Sequence, residues 1–163
     1  MRPDDSVQTG LVVATHGRHV VVESPDGSRR ICHPKGKKNT ALVGDHVHWR
    51  PSGDEGRIEA VDARRNLLYR QDDVRTKSFA ANIDQVLILL AAEPDFSESQ
   101  LSRALIAAED AKIEPLIVLN KSDLTEAFGR AWLRLAPYRE MGYAVLPLCL
   151  KSPDQSASSA LST

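Results

Sequence analysis

Residues 115–123 read Pro-Leu-Ile-Val-Leu-Asn-Lys-Ser-Asp, an apolar run that stops at the polar sequence Asn-Lys-x-Asp. An unbroken apolar run of this kind predicts a strand buried on both faces, as in a parallel sheet. The four polar residues, Asn120, Lys121, Ser122 and Asp123, then follow the carboxyl end of that strand. Ligands of open α/β sheets bind at this edge, in a crevice lined by the loops. The stretch therefore predicts both a fold class and a ligand site.

The residue types of this tetrapeptide suit a guanine base. The Asp123 carboxylate can accept hydrogen bonds from the ring N–H and the exocyclic amine of guanine, whereas adenine would leave it unpaired. Asn120 can bond the other edge of the purine or brace the loop, and the stem of Lys121 can lie over the flat base. Ser122 occupies the x position of Asn-Lys-x-Asp, where the motif requires no particular side chain. The alternative is a strand that ends in ordinary turn residues, with Asp123 capping the next helix.

The bulk composition is that of a globular protein. Of 163 residues, 42% are apolar and 26% are charged, as in average domains. No apolar run has the length of a membrane span and the first residues lack the apolar core of a signal peptide, so we expect a cytoplasmic protein. The two cysteines, Cys32 and Cys149, provide neither a disulfide framework nor a four-cysteine zinc site. We expect no metal site in this chain.

Charge is distributed unevenly along the chain. Residues 1–70 contain 12 Lys or Arg against 9 Asp or Glu, and the rest contains 9 against 13. All five histidines also lie in the first part. This asymmetry indicates two domains with different partners, the first of them facing something anionic.

Five short strands are predicted in the first part of the chain. Alternating apolar residues and turn signals, including a Pro-Asp-Gly hairpin at 25–27, place them at 10–15, 19–23, 28–32, 46–50 and 55–61. No helical period interrupts them. Five strands in a partly open barrel describe the OB-fold, which we predict for residues 1–68.

One face of this barrel is predicted to be basic. His46, His48 and Arg50 alternate with Val47 and Trp49, so they share a face while Trp49 points to the core. A track along a nucleic-acid backbone would add further cations, namely Arg29, Arg30, Lys35, Lys37 and Lys38. The alternative is an ordinary solvated barrel face.

Residues 69–80 are charged and irregular and are predicted to be a linker. Beyond it, from residue 81 to 163, strands and helices alternate. Ser97 and Gln100 fit the capping box of a first helix. The predicted strands cover 85–92, which is expected to be buried, 115–119 and 142–150. The second helix covers 125–135 with Pro137 ending or kinking it, and 152–163 form a loop or tail. This order predicts a parallel sheet with right-handed crossovers.

A nucleotide-hydrolysing domain also needs a phosphate loop and magnesium ligands. None of the nine glycines has the required spacing. Gly36 precedes Lys37, but Ile31 stands where the first glycine of a phosphate loop belongs and Lys38 where Ser or Thr belongs. Either the phosphate-handling half lies downstream, or the chain is a binding module that resembles half a GTPase.

The barrel, the strand sequence 81–88 and the loop 117–124 together resemble the RsgA (YjeQ) family, circularly permuted bacterial GTPases that depend on the small ribosomal subunit. The resemblance implies an OB-fold, then a P-loop GTPase-like α/β domain that begins at its base-binding strand. It implies GTP with magnesium as ligands, and the small ribosomal subunit with its rRNA as partners. Asn120, Lys121 and Asp123 would be the guanine-recognition residues. The second base-side loop would fall at Cys149, Leu150 and Lys151, where the small Ser or Ala residues usual in the family are replaced.

The resemblance covers only the first half of the family pattern. The family's glycine-rich phosphate loop and its zinc-binding C-terminal domain have no counterpart in these 163 residues. An intact relative would hydrolyse GTP while assisting late maturation of the small subunit, whereas this chain alone is expected to be inactive and monomeric. A second hypothesis is an RNA-binding OB-fold module whose α/β unit is only structural.

Overall fold

The computed structural model of the chain describes residues 6–36, 41–71 and 76–151. It contains two compact units, Met1–Ile83 and Asp84–Thr163. Each unit has its own hydrophobic core. The expectations for Lys37, Lys38 and the segment 152–163 lie outside the described residues.

A closed five-stranded barrel forms most of the first unit. Its strands follow the order β1-β2-β3-β5-β4 around the barrel. Strands β3 and β5 pair in parallel, and the other neighbours are antiparallel. The predicted strands and the OB-like barrel are confirmed, with bounds β1 Gln8–His16, β2 His19–Glu23, β3 Arg29–Pro34, β4 His46–Ser52 and β5 Glu55–Val61.

The barrel core follows from the alternation of apolar residues. Val20 and Val22 on β2 and Val47 and Trp49 on β4 are buried, while their neighbours along each strand are not. Trp49 is a core residue, as predicted. Its ring requires glycine at position 56, because a Cβ there would lie 2.7 Å from the indole carbon Cε3.

One buried carboxylate joins the loops around the barrel. Asp45 is completely buried and receives a two-pronged ion pair from Arg64, with N–O distances of 2.7 and 2.8 Å. The backbone N–H of Leu42 donates to the same carboxylate at 2.7 Å. The hydrogen bonds from Arg64 to the Asp45 carboxylate raise the pKa of Arg64 above its usual value. The loop before β4 and the segment after β5 are thereby held together.

The prediction that residues 69–80 are irregular is wrong for 69–71 and 76–80, the part of this segment that the structure describes. Strands β6 (Leu67–Gln71) and β7 (Thr76–Ala81) form an antiparallel ribbon. Contacts distant in sequence hold it, because the N–H of Ala81 donates to the carbonyl of Val43 at 2.9 Å and the Asn82 amide donates to the carbonyl of Gly44 at 2.8 Å. The charged composition of the segment conceals these contacts.

The second unit is a three-stranded parallel sheet with the order β10-β9-β8. The predicted alternation of strands and helices is confirmed. Pro137 lies in the first turn of the last helix, so the helix interruption predicted there is also confirmed. The elements are β8 Gln85–Ala91, α1 Glu98–Asp110, β9 Glu114–Asn120, α2 Thr125–Arg134, α3 Ala136–Glu140 and β10 Ala144–Pro147.

Strand β9 is buried on both faces, as predicted, since Ile117, Val118 and Leu119 are fully buried. Strand β8 was also predicted to be buried, and that prediction is wrong. Leu87 and Leu89 are 46% and 53% exposed. The helices pack on the opposite face of the sheet, the one that carries Ile117 and Leu119. An unbroken apolar run does not reveal which of its faces a helix covers.

The start of α1 confirms Ser97 as the N-cap residue of the predicted capping box. Ser97 is the N-cap residue, and its side chain accepts a hydrogen bond from the backbone N–H of Gln100 at 3.3 Å. Phe96 and Leu101, on either side of the cap, belong to the same apolar cluster. The cap thus fixes where α1 begins after the segment that follows β8. That segment lies beside the end of β9.

Candidate functional site

The Asn-Lys-x-Asp sequence forms a tight turn where β9 ends. Asn120 is the last residue of the strand, and Lys121 has a positive φ of 69°. The N–H of Leu124 donates to the carbonyl of Lys121 at 3.0 Å, and the N–H of Ser122 donates to the carbonyl of Leu148 at 3.1 Å. The turn is therefore bonded to the chain that follows β10.

Asn120 braces the loops at this edge, one of the two roles considered for it. Its side-chain oxygen accepts a hydrogen bond from the N–H of Leu150 at 3.0 Å. Its backbone carbonyl accepts from the N–H of Ala92, beyond the end of β8, at 3.1 Å. One residue thus joins the ends of all three strands of the sheet.

Lys121 is anchored at its ammonium group. Its Nζ donates to the backbone carbonyl of Glu93 at 2.6 Å. The aliphatic stem therefore has a fixed direction along the loop. Sequence reasoning did not identify Glu93. The signal was its position just after β8, because parallel neighbouring strands end at the same edge of the sheet.

Asp123 does not cap the following helix, so the alternative considered for it is contradicted. The N-cap residue of α2 is Leu124, and no side chain caps this helix terminus. The Asp123 residue is exposed. Its carboxylate accepts a weak hydrogen bond from the thiol of Cys149 at 3.4 Å. The carboxylate remains accessible to a ligand.

A cavity of about 380 Å³ lies between the two loops, within the range of small-molecule sites. The structure brings the 120–124 turn and the 149–151 segment together here, although they are distant in sequence. A carboxylate acceptor beside aliphatic side chains suits a flat base with two adjacent donors. The lining residues are Asn120, Lys121, Asp123, Leu124, Leu150 and Lys151.

The two cysteines differ in their surroundings. Cys32 is fully buried in the barrel core, and burial raises the pKa of its thiol to about 11. Cys149 is half-buried beside Asp123. Only the thiolate reacts readily with alkylating agents. Cys149 lies beside Asp123, which lines the cavity, so it can report on the cavity, and the buried Cys32 is an internal reference.

Two cations of the predicted basic track form ion pairs with carboxylates. Arg29 pairs with Glu23 at 2.7 Å and Lys35 pairs with Glu59 at 2.9 Å. The hydrogen bond from Lys35, with others from Arg57, lowers the pKa of Glu59. The carboxylates reduce the positive potential of this face.

The remaining residues of the track lie around the Trp49 strand. His46, His48 and Arg50 alternate with the buried Val47 and Trp49, as predicted. His48 bonds Asp62 at 2.9 Å. Arg30 lies over the Trp49 ring, with its guanidinium carbon 5.4 Å from the ring centre. The shared face of His46, His48 and Arg50 thus exists, whereas Arg30 packs on a ring that belongs to the core side of the strand.

In residues 6–36, 41–71 and 76–151, no group of three or more His, Cys, Asp or Glu side chains could hold a metal ion. Over the same ranges, no helix combines the length and the apolar character needed to cross a membrane.

The known proteins that this chain resembles agree with the geometry of the site. A family model described as RsgA GTPase matches residues 61–161. The chain belongs to the RsgA GTPase family. The small ribosomal subunit biogenesis GTPase RsgA of Variovorax paradoxus is 64% identical over 152 residues, and that of Paraburkholderia xenovorans is 48% identical over 161. The crystal structure of YjeQ from Thermotoga maritima is similar with a TM-score of 0.70 at 29% identity. The family resemblance seen in the sequence is therefore confirmed.

The alignments cover most of this chain but only about half of each relative that it matches. The alignments cover 93% and 98% of this chain but 48% and 51% of the Variovorax and Paraburkholderia proteins. With YjeQ, 90% of this chain and 53% of the other are covered. The chain spans about half the length of the curated relatives it matches.

Proposed function

We propose that the second unit recognises the guanine base of GTP through the turn at 120–123. The observation that carries this proposal is the exposed Asp123 carboxylate at the edge of a cavity, unused as a helix cap. Guanine presents two adjacent donors to such an acceptor, and adenine does not. Lys121 would flank the base with its stem, and Asn120 would hold the two loops together. Cys149, Leu150 and Lys151 would form the second side of the site.

The activity of the whole protein is part of the same proposal. The matched relatives are named small ribosomal subunit biogenesis GTPases. We propose that the complete protein hydrolyses GTP with magnesium in the cytoplasm, as a monomer, while assisting late maturation of the small subunit. We propose that this chain alone binds the base without hydrolysing GTP, because none of its glycines has the spacing of a phosphate loop. Magnesium or zinc ligands would belong to other parts of the family's proteins.

Protection of Cys149 from iodoacetamide tests this proposal. With GTP and magnesium at ten times the dissociation constant, labelling of Cys149 is expected to slow about tenfold, because the reagent reaches only the free fraction of the site. The GTP is expected to remain intact in the same sample. Peptide mass spectrometry measures labelling at each cysteine, and chromatography measures the nucleotide.

The controls use ATP and the second cysteine. ATP at the same concentration is expected to leave Cys149 labelling unchanged. Cys32, with its raised pKa, has about one thousandth of its thiol ionised at pH 8 and should stay unlabelled until the barrel unfolds. Equal protection by ATP would contradict guanine recognition, and steady release of phosphate from GTP would contradict the inactivity of the chain.

A second function, RNA binding by the barrel, is favoured by the outward-facing residues His46, His48 and Arg50, which share one side of β4. We propose that this face contacts rRNA of the small subunit. Substituting Arg50 with Gln is expected to lower the slope of log affinity against log salt by about 0.7, the contribution of one phosphate contact to single-stranded RNA. Fluorescence anisotropy with a labelled single-stranded RNA measures the slope. Arg103→Gln, in the other unit, is the matched control, and an unchanged slope in the barrel variant would rule this face out.

A further inference from the structure

The segment between β8 and α1, residues 92–97, touches the Asn-Lys-x-Asp turn directly. The N–H of Ala92 donates to the carbonyl of Asn120, and the ammonium of Lys121 donates to the carbonyl of Glu93. The second contact is 2.6 Å long, and its donor is a charged ammonium, which strengthens a hydrogen bond. The direction of the Lys121 stem therefore depends on where this segment lies.

Arg134, in the last turn of α2, holds the same segment from the other side. Its guanidinium carbon lies 4.3 Å from the centre of the Phe96 ring. One Nη donates to the Phe96 carbonyl at 2.9 Å, and Nε donates to Glu98 at 3.0 Å. Asp95 adds a longer ion pair of 3.6 Å. The Arg134 side chain is only 33% exposed.

These contacts link the segment between β8 and α1 to the end of α2, while the start of α2 adjoins the turn. The helix begins two residues after Asp123, and its last residue, Arg134, returns to residues 95–98. A guanidinium provides several donors in a rigid plane and can stack on a ring at the same time, which a shorter or more flexible cation cannot reproduce. The segment 92–97 is thus held between Arg134 and Lys121.

We propose that Arg134 is a positioning residue for the guanine-recognition turn. It fixes the segment 92–97, and the Glu93 carbonyl in that segment holds Lys121 in the direction needed to flank a base. The expected effect on nucleotide affinity rests on the proposed guanine recognition. The positioning of the turn is a property of the chain without nucleotide. The two are therefore tested by separate measurements.

The test compares Arg134→Gln with Arg139→Gln. Arg139 is a close match, since its guanidinium lies 4.2 Å from the Trp132 ring centre and donates to the Trp132 carbonyl at 2.9 Å, without reaching residues 92–97. In the free protein, Arg134→Gln is expected to speed amide hydrogen exchange in residues 118–124 about fivefold, and Arg139→Gln is expected to leave it unchanged. Equal exchange in the two variants would overturn the positioning role.

Nucleotide affinity provides the second measurement. By NMR titration with GDP, Arg134→Gln is expected to bind about fivefold more weakly than the unmodified chain, a coupling typical of residues in one network. In a Lys121→Met background the same substitution should have no further effect, because the ammonium it positions is gone. An undiminished effect in that background would overturn the route through Lys121. Faster exchange in Arg134→Gln without GDP binding by any variant would support positioning and reject guanine recognition.

Discussion

Asp45→Ala is expected to destabilise the first unit by about 3–5 kcal/mol, the usual cost of breaking a buried ion pair from one side. The substitution leaves Arg64 without its two-pronged partner and leaves the Leu42 N–H without its acceptor. It also opens a space in a site that is completely closed to solvent. Urea unfolding measures the change, with Trp49 as the fluorescent probe of this unit.

The experiment distinguishes the unfolding signals of the two units and includes a control variant. The chain has two tryptophans, and a Trp132→Phe background leaves Trp49 as the single reporter. Asp62→Ala removes an exposed carboxylate that pairs with His48 at 2.9 Å, and exposed pairs contribute at most about 1 kcal/mol. If Asp45→Ala unfolded at the same urea concentration as Asp62→Ala, the buried pair would not hold the loops as described.

The second large effect concerns base selection by Asp123. Replacing the carboxylate with an amide exchanges one of its two acceptor positions for a donor. Guanine presents two donors to this residue, whereas xanthine presents a donor and a carbonyl acceptor at the corresponding atoms. Asp123→Asn is therefore expected to lose affinity for GDP and gain affinity for xanthosine diphosphate, each by about tenfold, the contribution of one hydrogen bond to a charged group.

Much of this fold could be predicted because the deciding patterns are local. The barrel strands alternate strictly, as in the run from His46 to Arg50, and the Ser97 cap needs only its neighbours in sequence. The Asn-Lys-x-Asp turn follows an apolar strand, which was enough to place it at the edge of the sheet. Family membership then followed from the order of these parts.

The features that were missed depend on residues far apart in sequence. Arg64 lies 19 residues from Asp45, and nothing in either local sequence indicates the pair. The ribbon of β6 and β7 is held by the loop at Val43 and Gly44, so a linker was predicted from its charged composition. The exposure of Leu87 and Leu89 reflects which face the helices cover, and an apolar run carries no such information.

The contact between Cys149 and Asp123 was missed for a related reason. The resemblance placed both residues on the base side of the site, but their separation of 26 residues along the chain concealed that the thiol reaches the carboxylate. The parallel pairing of β9 and β10 brings them together, because it aligns the ends of the two strands. Sequence position alone does not supply that register.

The most direct test of guanine recognition is a set of NMR titrations of the unmodified chain and Asp123→Asn with GDP, xanthosine diphosphate and ADP. The unmodified chain is expected to bind GDP most tightly, with shifts in residues 120–124 and 149–151, and the variant is expected to prefer xanthosine diphosphate. Ser122→Ala, which changes the x position of the turn, should retain the preference for GDP. If the unmodified chain bound all three nucleotides alike, or if Asp123→Asn kept its preference for GDP, the assignment of this turn to guanine recognition would be wrong.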